Sequence, residues 1–372
     1  MSKSDLRPTQ KELARVLGMA QSTVSMALRG DPAINEKTRA MVLEKAAALG
    51  YQPNPSGAAL AHLRQASTVP AVRASLAWLS CWQDPASLQG SREIDQLWKG
   101  AAAGAAELGY RLDEFVVGPE LPLPRLEKVL HARGVRGIIL PPGPVPADWR
   151  KFDWDSFSVV RLGRLPDASG LTPSVVVDDQ MNNALLAFRT IRGMGYKRIG
   201  FVGRPDALRS FSAGYFLGQQ EVPVGDRLPL LMASAGESNR WEDSFRDWFE
   251  AESPDAILTD CPEVPQVLSR MDVRIPSDVG VAALGLFDCP VSAGIERNSL
   301  EVAYSGAQLL HSLIKKGSLG MPEIHRELVI KGRWIDGDSL PKRHLQSLGT
   351  PAEGPAPRGV LVGAGARYLQ AS

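Results

Sequence analysis

The pattern of the chain changes near residue 72, and that change restricts the possible folds more than any other feature. Downstream of it, apolar runs of strand length alternate with segments of helix length as far as about residue 335. Runs at 74–82, 110–117, 135–140, 158–162, 174–177, 198–202, 256–259, 279–284 and 327–330 read as strands. Segments at 93–108, 126–133, 182–194, 241–251, 263–271 and 300–316 read as helices. Such alternation implies parallel sheets with helices on both faces. Two units of this size follow one another, about 72–175 and 176–335, so two lobes with a cleft between them are expected.

Upstream, residues 8–65 read as helical. Thr9-Gln10-Lys11-Glu12 fits a capping box, and Gly18 stops the helix that follows. A second helix is expected over 21–28. Asn35 is placed to cap a third, running to Leu49 with apolar residues Ala40, Val42, Leu43, Ala46, Ala47 and Leu49. Pro53 and Pro55 then interrupt the chain. Residues 57–63 form an apolar segment too short to be a stable helix alone, and 65–71 reads as a linker.

The 10–29 segment fits a helix-turn-helix. Ala14 is small where two helices would cross, Gly18 sits at the turn, and Leu13, Leu17, Val24 and Leu28 can form a miniature core. The second helix opens with Gln21 and Ser22, where a recognition helix meets base edges. Thr23 and Ser25 carry short hydroxyls suited to phosphate oxygens. Charge agrees. The whole chain has a formal net charge of +1, but residues 1–65 carry +4 and the remainder −3. A basic head on a faintly acidic body is the split expected of a DNA reader with a separate body.

Other classes find little support. Cys81, Cys261 and Cys289 form no CxxC pair, which argues against a disulfide framework or zinc site. No P-loop, HExxH or GxSxG motif is present, so no catalytic activity and no cofactor are expected. The first residues lack the apolar core of a secretory signal and no run of 18 apolar residues occurs, so a cytoplasmic protein without a membrane partner is expected.

The head resembles that of the lac-repressor (LacI/GalR) family of bacterial transcription regulators. The resemblance rests on Leu13-Ala14, Gly18, Ser22-Thr23-Val24-Ser25, Ala27-Leu28, Thr38-Arg39 and Leu49-Gly50-Tyr51 followed by Pro53-Asn54. It extends over roughly 8–337. It implies an all-α helix-turn-helix headpiece with a hinge helix, followed by an α/β two-lobed, periplasmic-binding-protein-like (type I) effector domain. The corresponding divisions are a headpiece over 8–54, hinge and linker over 55–71, and an effector-binding and dimerisation domain over 72–337. Within that domain the chain crosses between lobes near its C-terminal end. A Pro/Gly-rich tail covers 338–372, where 359–363 could form a short strand.

By position, the resemblance implies base contacts from Gln21, Ser22 and Met26. It implies phosphate contacts from Thr9, Thr23, Ser25, Arg29, Asn35 and Asn54, and a minor-groove wedge from Ala59 and Leu60. Many members carry a basic residue where Met26 stands. Methionine cannot donate a hydrogen bond but can touch a thymine methyl, so a shifted operator is expected. The implied partners are a pseudo-palindromic double-stranded operator, a second copy of the chain, and a small-molecule effector, a carbohydrate or related metabolite. The protein is thus expected to be a repressor whose operator affinity the effector controls.

The effector should lie beyond the carboxyl ends of the strands. Candidates there are Trp82, Asp84, Arg164, Asp178, Asp179, Arg209 and Asp260. Two departures from sugar-responsive members stand out. Phe211 occupies a position that often holds arginine, and Gly285-Leu286 follow the strand at 279–284 where an acidic residue is usual, with Asp288 a few residues on.

Overall fold

The structure, a computed structural model, describes residues 9–28, 34–49, 51, 74–80, 91–143, 147–164, 170–204, 208–232 and 238–343. The head is three helices: α1 (Gln10–Leu17), α2 (Gln21–Leu28) and α3 (Glu36–Ala48). The capping box is formed. The Glu12 N–H donates to Thr9 Oγ1 at 3.3 Å, and the Thr9 N–H donates to Glu12 Oε2 at 2.9 Å. Gly18 closes α1 at φ 63°, a left-handed conformation that glycine adopts without Cβ strain. Asn35 caps α3 by accepting from the Thr38 N–H at 2.8 Å.

The core of the head is Leu13, Ala14, Val24, Ala27, Val42 and Ala46, with Leu17 and Leu28 packed against it. α3 contributes less than its composition suggests. Val42 and Ala46, one turn apart, are buried, whereas Leu43 and Leu49 remain 48% and 38% exposed. The two partner helices are only eight residues each, so they cover a single stripe of α3.

The body contains two six-stranded sheets. The first comprises β1 (Ala74–Ser80), β2 (Tyr110–Val116), β3 (Gly137–Leu140), β4 (Ser158–Leu162), β5 (Ser174–Asp178) and β11 (Glu327–Ile330). Its order is β11-β5-β4-β3-β1-β2, parallel throughout. The second comprises β6 (Ile199–Gly203), β7 (Leu231–Met232), β8 (Ala256–Thr259), β9 (Gly280–Ala283), β10 (Gly294–Glu296) and β12 (Arg333–Ile335). Its order is β12-β10-β9-β8-β6-β7, parallel except for the β10–β12 pair. Each lobe thus repeats one topology: the second strand outside the first, the next three in sequence, and a late strand on the far edge.

Helices cover both faces of each sheet, as parallel sheets require. α4 (Arg92–Glu107) and α10 (Ser299–Lys316) supply the apolar layer on one face of the first sheet, and α5 (Leu123–Ala132) lies on the other. In the second lobe, α6 (Gln180–Gly193) and α7 (Leu208–Gln219) pack on one face, and α8 (Ser238–Glu252) and α9 (Val264–Arg270) on the other. α4 and α10 approach closely at Gly100, where an added Cβ would lie 2.0 Å from the Leu300 carbonyl oxygen.

The segment 299–330 runs with the second unit in the sequence but packs on the first sheet. The chain therefore passes between lobes three times: at 178–180, at 296–299 and at 330–333. The sequence pattern did not mark α7, because its Ser212, Gly214 and Gly218 are poor helix formers. Nor did it mark β7, β10 and β12, which are two or three residues long.

Candidate DNA interface and interlobe cleft

Burial of Val24 and Ala27 fixes the roll of α2 about its axis. The opposite side carries Gln21, Ser22, Ser25 and Met26, spaced i, i+1, i+4 and i+5. Gln21 and Ser22 are exposed and Thr23, Ser25 and Met26 half-buried. Three residue types line one short helix here: amide, hydroxyl and thioether. Lys11, Arg15, Lys37 and Lys45 are exposed on the neighbouring helices. Thr9 and Asn35 spend their side-chain oxygens as helix caps. An anion at either end would therefore be met by the remaining first-turn N–H groups and the positive helix end. Arg29, Asn54, Ala59 and Leu60, with the whole 55–71 hinge and linker, lie outside the described residues.

The cleft is built at the three crossings. They are tied side by side: Asp179 N–H donates to the Ile330 carbonyl at 2.8 Å, Asn298 Nδ2 to the Lys331 carbonyl at 2.7 Å, and Gly332 N–H to Asn183 Oδ1 at 2.9 Å. Asn298, at φ 56°, takes the left-handed turn that starts α10. Arg297, one residue earlier, is thereby placed at the base of the cleft. Its Nε donates to the Leu284 carbonyl at 2.6 Å and lies 3.8 Å from Asp178 Oδ2. Its guanidinium carbon sits 5.0 Å from the centre of the buried Phe211 ring, within cation–π range. Gly285 clears the other side: a Cβ there would come within 2.9 Å of the guanidinium.

Four carboxylates surround Arg297. Burial pushes the Asp178, Glu93 and Asp260 carboxyls above their ordinary range, and the Arg297 charge offsets only part of that rise. For Arg297 itself, burial opposes the charge, but Asp178, Glu93, Asp260 and Asp288 together outweigh it and hold the pKa above the usual value. Glu93 also accepts from Ser299 Oγ. Asp260 accepts from the Arg204 N–H at 2.9 Å. It follows β8, while Arg204 follows β6, so both lie where the strand order of the second sheet reverses.

The lobes are also bridged directly. Asp288, on the loop after β9, accepts from Ser91 Oγ at 2.7 Å and from the Glu93 N–H at 3.2 Å. It thereby satisfies orphan groups at the start of α4 in the other lobe. Beside it the Arg92 guanidinium carbon lies 5.6 Å from the Phe287 ring centre. Across the cleft, Arg164 donates to Ser210 Oγ at 3.2 Å and pairs with Glu327. The arrangement is suited to holding a polar molecule rather than to covalent chemistry. The nearby Cys261 and Cys289 thiols are pushed by burial to about 12, far from a reactive thiolate at neutral pH. Among the described residues no cluster of His, Cys, Asp and Glu could hold a metal ion, and no helix is long and apolar enough to cross a membrane.

Comparison with solved structures places this architecture. A transcriptional regulator CelR–cellobiose complex superposes over 90% of this chain and 100% of its own, at 18% identity and a TM-score of 0.57. The lac repressor dimer bound to operator and the anti-inducer ONPF does so over 90% and 99%, at 14% identity and a TM-score of 0.51. A LacI family regulator from Enterococcus faecium with bound ribose covers 72% of this chain and 99% of its own, at 14% and 0.53. The chain has the fold of the LacI-type regulators. In sequence, the HTH-type transcriptional regulator AglR of Rhizobium meliloti (strain 1021) is 51% identical over 51 residues, 14% of each chain. The similarity to that relative thus spans about one seventh of its length. No family model matches the chain.

Within the LacI-type fold, the residues expected at the cleft separate. Asp178, Asp260 and Arg164 do come to it. Asp179 lies beside Asp178, but its carboxylate caps α6, accepting from the Asn182 N–H at 3.3 Å and Asn182 Nδ2 at 2.8 Å. Trp82, Asp84 and the Arg209 side chain lie outside the described residues, as does 344–372 of the tail. Arg297, Glu93 and Ser91 were not anticipated. The one signal for Arg297 was the polar run Glu296-Arg297-Asn298 between a short apolar stretch and a long helix. Without β10, nothing assigned it to a strand end.

Proposed function

We propose that the chain is a sequence-specific DNA-binding transcriptional regulator, most simply a repressor, whose operator affinity is set by a small polar effector held between the lobes. The observation that carries this reading is the outward-facing Gln21/Ser22/Ser25/Met26 stripe on a helix held by its own small core, in the same chain as a two-lobed cleft. Gln21 and Ser22 are the base readers, with Met26 beside them. Thr9, Thr23, Ser25, Arg29, Asn35 and Asn54 meet phosphates, and Ala59 and Leu60 enter the minor groove. Trp82, Asp84, Arg164, Asp178, Arg209 and Asp260 are the pocket residues. The headpiece of 8–54, the hinge of 55–71 and the effector domain of 72–337 are the working parts. Two copies present two recognition helices to a pseudo-palindromic site. Likeness to a relative solved with cellobiose and another with ribose supports a carbohydrate effector.

Coupling follows from the fold. A ligand touching both lobes favours one lobe angle, and it shifts DNA affinity only to the extent that it binds the two angles differently. Binding, not catalysis, is the work of this site. Selection of bound sequences from a random duplex library by the purified full chain tests the reading. Enrichment of a two-half-site sequence, with affinity falling steeply as salt rises, is expected. Recovery of no common sequence would overturn it.

A further inference from the structure

The cleft contains a buried acceptor without a donor, beside an arginine fork that has no acceptor among the described residues. Asp178 Oδ2 is buried and makes no hydrogen bond, and Arg297 Nε stands 3.8 Å from it. Among the described residues, the one hydrogen bond Arg297 donates runs from Nε to the Leu284 carbonyl, leaving both Nη groups of its fork without an acceptor. A buried carboxylate oxygen is nearly always satisfied, so Asp178 Oδ2 is open to a donor from a third group that also accepts from the Arg297 Nη groups. The guanidinium is not free to close the gap. Phe211 holds one side, Gly285 leaves room on the other, and the Leu284 carbonyl fixes Nε.

We propose that Arg297 and Asp178 together read one hydroxyl of an uncharged effector, and that Arg297 is the residue that determines its chemical class. This rests on the regulator reading above. A hydroxyl accepts from the arginine and donates to the carboxylate. A carboxylate or phosphate on the ligand accepts only, so it leaves Asp178 unsatisfied and meets Glu93, Asp260 and Asp288 as like charges. An ammonium donates only, so it leaves the arginine fork empty. Carboxylates already outnumber Arg297 here, so a neutral polyhydroxyl compound satisfies both partners without adding to that negative charge. Phe211 and Gly285, the two departures from sugar-responsive relatives, become intelligible: together they make the space and the platform for an arginine from a distant crossing.

The test is calorimetric titration of the full chain at pH 7 with three sets of probes. These are neutral saccharides (ribose, glucose, cellobiose, maltose), an amino sugar (glucosamine), and acidic or phosphorylated counterparts (glucuronate, ribose 5-phosphate). Binding is expected from a neutral saccharide and not from the anionic set. Arg297→Gln and Asp178→Asn are each expected to weaken that saccharide by about tenfold or more, as for loss of a hydrogen bond to a charged group. In wild type, one deoxy analogue of the saccharide should bind at least about tenfold more weakly than its parent, and Arg297→Gln should lose that discrimination. A purely structural arginine would lower both affinities alike. Operator affinity without ligand reports that each variant is folded. Preference for an anionic or amino sugar, binding by neither variant differing from wild type, or no binding from any probe overturns the inference. If operator recognition survives such a result, the regulator reading stands; if no operator is recognised, that reading falls whatever the cleft binds.

Discussion

The head and the cleft reach their functional surfaces by opposite routes. On α2, four side chains face outward because Val24 and Ala27 face inward, and one helical period decides all of them. In the cleft, Glu93, Asp178, Asp260, Asp288 and Arg297 come from five separate segments, brought together by three passages of the chain between lobes. The first surface is a local code and the second a topological one. A local surface should tolerate change elsewhere in the chain, whereas the cleft should respond to changes at either lobe.

The largest effect should come from the core of the head. Leu13 is fully buried in a cluster of six small and apolar residues. Leu13→Ala should cost about 2–5 kcal/mol, enough to unfold so small a unit while leaving the body intact. Circular dichroism melts should retain the body transition while DNA binding disappears. If the body transition moved as well, the independence of the two regions would be lost.

Next is the bridge made by Asp288. Removing a carboxylate that accepts two hydrogen bonds across the cleft should cost the closed arrangement about 1.5–3 kcal/mol. For Asp288→Ala, small-angle scattering should report a larger radius of gyration for the body. An unchanged radius would mean that the crossings alone set the lobe angle. A third change sharpens the head. Met26→Arg should introduce preference for guanine at one position per half-site, with discrimination of about 1–3 kcal/mol. Binding to operators changed one base pair at a time measures it, and an unchanged preference removes Met26 from the reading face.

The smallest effect concerns pH. Burial raises the Asp178 carboxyl pKa in the fold, and Arg297 counters only part of that rise. A carboxyl so raised favours the fold while protonated, below its ordinary value of about 3.9, and that contribution is lost as pH rises through the raised value. Asp178→Asn does not titrate, so it should gain stability relative to wild type between pH 4 and pH 7. Urea midpoints at the two pH values test the sign. A difference that stays constant or reverses would show that the Arg297 pair outweighs burial.

The same contrast explains how much could be read from the sequence. Thr9, Gly18 and Asn35 act within four residues of themselves, and the capping box, the left-handed stop and the third-helix cap were all legible. The central strands of four or more residues were legible too, because a buried parallel strand is an uninterrupted apolar run. β10 was not, since three residues carry no period, and with it Arg297 went unrecognised. Asp178 and Asp179 looked equivalent in sequence. Only the path of the chain makes one a cleft carboxylate and the other a helix cap. The opposition of Phe211 and Gly285 across a guanidinium depends on three distant segments, and no spacing encodes it.

The central claim is that the outward-facing stripe of α2 directs this chain to particular DNA sequences. Mapping of the sites bound in cells by wild type and by a Gln21→Ala, Ser22→Ala double variant, expressed equally, tests it most directly. The account predicts discrete sites sharing a two-fold sequence for wild type, and their loss in a variant whose body melts as before. Occupancy of the same sites by both proteins would contradict it.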